Sequence, residues 1–73
     1  MMPSTQRVKS VYAYVREQNR QSLLPTSADV ADGLLISRVE AGRILRLLVE
    51  RGVLERVRGR DFWLRPGYQV RGK

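Results

Sequence analysis

The chain predicts an α+β fold, a three-helix core with a C-terminal β-hairpin wing, on three observations. Residues 26–57, TSADVADGLLISRVEAGRILRLLVERGVLERV, read as a short helix, a tight turn, a longer Arg-studded helix ending at a glycine, and a strand. Apolar residues recur at helical spacing before that stretch, and a basic hairpin, RVRGRDFWLR, follows it. Seventy-three residues suffice for one domain, close to the lower limit for a single apolar core.

Each element has its own signal. Pro3 and Ser4 open the first helix, with Ser4 as N-cap. Val8, Val11, Tyr12 and Val15 then form one helical face, and the pattern fades at Gln18–Ser22, read as a polar connector. Pro25 disfavours helix at Leu24, so Leu23–Leu24 is expected to be extended and to pair with the later hairpin. Thr26 or Ser27 caps a second helix over 28–34, with Val30, Ala31 and Leu34 facing inward and Asp29 at the positive end of the helix dipole. Gly33 is expected to stop that helix through a positive φ, and Ile36 to plug the turn.

Ser37-Arg38-Val39-Glu40 matches the reciprocal capping pattern S-x-x-E and sets the start of a third helix over 38–51. Ala41, Ile44, Leu45 and Leu48 are its buried stripe, Gly52 its terminator, and Arg46 and Glu50 an outward i,i+4 pair. Residues 53–57 and 62–65 read as the hairpin strands around Arg58-Gly59-Arg60-Asp61, with Pro66-Gly67 as the stop. The expected domain is therefore 1–67, with 68–73 a loosely held basic tail.

Composition narrows the chemistry. With no Cys and no His, disulfides, thiolate or imidazole metal sites and His-based catalysis are excluded. No cofactor, metal, small-molecule ligand or enzymatic activity is expected. No apolar run approaches the ~20 residues of a membrane span, so no membrane partner is expected and the cytoplasm is the expected location. Net charge is +7, unevenly spread: residues 1–35 carry four basic and three acidic side chains, residues 36–73 ten and four. A cationic half of that kind suits a polyanion engaged by one face.

The order capped helix, turn with Ile36, capped helix, Arg-Gly-Val-Leu and basic hairpin resembles the winged helix-turn-helix superfamily over nearly the whole chain, without the signature of one branch. Ile36–Leu54 is also similar to the DNA-reading terminal domains of bacterial chromosome translocases, a likeness of fold. The resemblance implies a sequence-specific double-stranded DNA-binding protein, a small transcriptional regulator of the kind frequent on phages and plasmids. It further implies that the third helix enters the major groove and the hairpin lies along the minor groove or backbone.

Geometry agrees: from Arg38 to Arg46 a helix rises ~12 Å, comparable to the groove width. The candidate recognition residues are Ser37, Arg38, Val39, Glu40, Gly42, Arg43 and Arg46. Arg43 is the candidate for a bidentate contact to guanine, Val39 for a thymine methyl, and Arg46 for a phosphate. Gly42 departs from helix propensity, which close approach to DNA or to the second helix would explain. The wing candidates are Arg56, Arg58, Gly59 and Arg60, and Thr26 and Ser27 can donate to phosphate as well as cap. Trp63 lies out of phase with Phe62 and Leu64, and burial over the first or third helix is its expected fate.

Two other readings use the same fold. A protein-interaction adaptor would use Tyr14, Val39 and Leu47 as its contact surface, and some winged domains bind RNA. A homodimer, with Tyr14 and the tail as contacts, would match palindromic half-sites ~34 Å apart.

Overall fold

The computed structural model describes residues 4–58 and 66–71. The elements are α1 (Thr5–Arg20), α2 (Ser27–Leu34), α3 (Arg38–Glu50), β1 (Leu54–Val57) and β2 (Gly67–Val70). The two strands pair antiparallel, giving the expected α+β arrangement of three helices and a C-terminal hairpin. No helix among the described residues is long and apolar enough to cross a membrane.

In α1 the Ser4 hydroxyl accepts from the Arg7 N–H at 3.1 Å, and Val11 and Val15 are fully buried. The helix runs to Arg20, past the point where its apolar period fades. The inward side of the last turn is polar: Asn19 Nδ2 donates to the carbonyls of Leu23 (2.9 Å) and Tyr68 (3.2 Å), and its Oδ1 accepts from Val70 N–H (2.8 Å). One amide side chain thus does what a neighbouring strand would do for β2. The helix closes with Ser22 in a left-handed conformation, φ 64°, and Leu23 N–H donating to the Gln18 carbonyl.

The extended segment after α1 meets the hairpin through one backbone hydrogen bond, Tyr68 N–H to the Pro25 carbonyl at 2.9 Å, in place of the expected strand pairing. Thr26 is the N-cap of α2, and it exchanges hydrogen bonds with Asp29: Asp29 N–H to Thr26 Oγ1, Thr26 N–H to Asp29 Oδ2. Gly33 has a different role from the one expected. It lies within the helix, and a Cβ there would sit 2.5 Å from the Tyr14 ring, so the missing side chain leaves the space that ring occupies. The left-handed residue that ends α2 is Leu35, φ 57°.

Ser37 caps α3 by accepting from Glu40 N–H at 3.0 Å. The reciprocal half of that box is absent, and the Glu40 carboxylate instead accepts from the Arg7 guanidinium of α1. Ala41, Ile44, Leu45 and Leu48 are buried as expected, and Ile36 packs against the core. Gly52, φ 78°, ends α3 with its N–H on the Val49 carbonyl and Val53 N–H on that of Leu48.

The hairpin differs most from expectation. Leu54, Glu55, Arg56 and Val57 pair with Val70, Gln69, Tyr68 and Gly67, so Gly67 begins the returning strand instead of ending it. A Cβ on Gly67 would stand 2.6 Å from Leu24 Cβ and 2.7 Å from its carbonyl oxygen; Gly is there for close approach, and what looked like a stop signal is a contact. Residues 68–71 are accordingly no loose tail. Tyr68 is 7% exposed and completes a core with Val11, Val15, Val30, Ile44, Leu45 and Leu54. The expected strand 62–65 and the tip residues Gly59, Arg60 and Asp61 lie outside the described residues, as does Trp63.

Candidate nucleic-acid interface

The outer face of α3 is defined by what its inner face buries. With Ala41, Ile44, Leu45 and Leu48 in the core, helical spacing turns Val39, Arg43, Arg46 and Glu50 the other way, with Gly42 at the side of the helix and Arg38 at its N-terminal end. Arg38, Val39, Arg43 and Arg46 are all exposed. Among the described residues neither Arg38 nor Arg43 has a carboxylate within salt-bridge distance, which leaves two guanidiniums near the helix start free to meet an anion.

Arg46 is paired with Glu50, Nε to Oε2 at 3.2 Å, as the i,i+4 spacing predicts. Both side chains are more than three-fifths exposed, so the pair is worth under about 1 kcal/mol and can be exchanged for a stronger anion. Glu40 stands apart from the other candidates. Its carboxylate is engaged by Arg7, so it braces α1 against α3 and is drawn away from the outer face. Arg7 has no place in the sequence-based site, and only the α1–α3 packing brings it there.

Gly42 has open space where a side chain would go: an added Cβ meets nothing within 4 Å. Packing against α2 is therefore no reason for a glycine at this position. In the hairpin, Arg56 and Arg58 are exposed, Arg56 opposite Tyr68 in the register and Arg58 just beyond β1. Thr26 and Ser27 are part-buried at the start of α2, with the Thr26 hydroxyl committed to capping. Tyr14, expected on a free surface, is instead half-buried against Gly33.

Leu35 is the residue at this end of the molecule that the sequence did not single out. It is 92% exposed at the turn between α2 and α3, and Val39, in the first turn of α3, is 66% exposed. The run Gly33-Leu34-Leu35-Ile36 holds the only sequence hint: three consecutive apolar residues at a turn cannot all point inward.

Among the described residues no group of three or more acidic side chains could hold a metal ion. The arrangement offers cations, a few aliphatic groups and a helix N-terminus on one surface, which is chemistry for binding a polyanion. No family model matches this chain, and no curated protein is similar to it.

Proposed function

We propose that this protein is a sequence-specific double-stranded DNA-binding regulator of winged helix-turn-helix type, with α3 in the major groove and the hairpin on the adjacent backbone or minor groove. The single observation that carries the reading is the orientation of α3. Its four apolar anchors are buried, the opposite side presents Arg43 and Arg46, and Arg38 is exposed at the helix N-terminus, all in the cationic half of the chain. A guanidinium in that position can donate two parallel hydrogen bonds to guanine O6 and N7. A cytoplasmic, nucleoid-associated location goes with this role.

Selection from a randomised duplex pool, followed by titration of the selected site, tests it. Five or six phosphate contacts give a log–log salt slope of about −5. Arg43→Ala is expected to cost about 1–3 kcal/mol at one base pair and to flatten the difference between selected and scrambled duplexes. Arg58→Ala is expected to weaken both duplexes alike and make the salt slope shallower by about 1. Failure of the parent chain to select any duplex at low salt, with saturable binding of an acidic protein or a hairpin RNA instead, would replace this reading.

A further inference from the structure

Leu35 is hard to explain by the stability of the isolated domain. A left-handed backbone is unfavourable for a residue with a Cβ, and Gly or Asn is the usual occupant of such a turn. Leu35 accepts that conformation at φ 57° and receives no burial in return, being 92% exposed. Ser22, the other non-glycine residue at positive φ among the described residues, is polar and suits its exposed turn. A single exposed aliphatic residue is ordinary; here Val39 lies four positions on and is also exposed. Four residues of chain span at most about 14 Å, and Val39 already lies in the first turn of α3, so the two positions are separated by a distance comparable to the ~12 Å width of a major groove.

Their surroundings limit what they can meet. Arg38 and Arg43 flank Val39 without a carboxylate partner among the described residues, and the N-terminus of α3 adds a partial positive charge. An apolar protein patch would leave that charge unanswered, and two exposed aliphatic side chains are a small anchor for a lipid surface. A duplex meets both requirements, since its phosphates answer the cations and its major groove carries one apolar group, the thymine 5-methyl.

We infer that Leu35 and Val39 read thymine methyl groups, making the preferred site one with thymines flanking the base pair contacted by Arg43. This rests on the DNA-binding reading above and adds two specificity-determining residues to it, one of them in the turn. Gly42, at the side of α3 and without a side chain, leaves room for the helix to come close enough for aliphatic contact.

Deoxyuridine scanning of the selected duplex tests the inference, because uracil keeps every hydrogen-bonding group of thymine and lacks only the methyl. Replacing one thymine at a time is expected to weaken binding about fourfold at one or two positions, the equivalent of ~0.8 kcal/mol per buried methyl. Leu35→Asn and Val39→Ala should each lose affinity for the thymine duplex and lose nothing further at one of the deoxyuridine positions. Leu35→Asn should also melt at a higher temperature than the parent, showing that its loss of affinity is not a loss of fold. Uniform affinity across the deoxyuridine series, in a chain that still binds its selected site with salt dependence and responds to Arg43→Ala, overturns the inference and leaves the DNA-binding reading standing. A parent chain that selects no duplex overturns both.

Discussion

At the residue scale, Gly42 sets two measurements against each other. Glycine inside a helix costs about 1 kcal/mol relative to alanine, and the space beside it is open. Gly42→Ala is therefore expected to raise stability by about that amount, read as a thermal midpoint some 4–8 °C higher for a domain of this size. If the outer side of α3 lies against the groove floor, the same methyl should reduce affinity for the selected duplex. A stabilised variant that binds with unchanged affinity would remove Gly42 from the contact surface. The pattern of α3 was readable because its apolar anchors, its cap at Ser37 and its terminator at Gly52 are all local in sequence. The role of Gly33 was not, because it depends on where the Tyr14 ring lies, which no local period encodes.

Among the elements, β2 depends most on a distant side chain. Asn19 is its only side-chain anchor to α1 among the described hydrogen bonds, holding the Tyr68 carbonyl and the Val70 N–H. Asn19→Ala leaves both backbone groups, and the Leu23 carbonyl, to find other partners, at an expected cost of about 2–3 kcal/mol by urea denaturation. Asn19→Asp should cost at least as much, since it sets an anionic acceptor against two carbonyl oxygens. An Asn19→Ala chain as stable as the parent would show that solvent replaces the amide without penalty. This anchoring also explains why the hairpin was misread in the sequence. Pro66-Gly67 looks like a terminator, whereas the described strand begins at Gly67 because Tyr68 enters the core and Gly67 fits against Leu24. Composition could not weigh a tertiary contact against a local signal.

Across the whole molecule, positive charge is unevenly spread along the chain while the core is not. The core draws on every element from α1 to β2, with no buried charged residue among those described, while the excess of positive charge lies in residues 36–73. The charge asymmetry was legible in composition, and with no charged side chain buried among the described residues it costs the interior nothing. The cap on α1 and the apolar face that follows it were equally legible, being repeated local patterns. The link from Arg7 to Glu40 was not, because it joins positions 33 apart.

The clasp made by Asn19 also bears on the order in which the chain assembles. Its hydrogen bond to Val70 closes a loop between residues 51 apart, so the entropy of that closure must be met before the bond returns anything. The helices can collapse on one another beforehand, and the last strand zips on afterwards. Stopped-flow kinetics of Asn19→Ala should therefore show faster unfolding and a nearly unchanged refolding rate. A refolding rate that dropped with stability would instead put the strand in the nucleus.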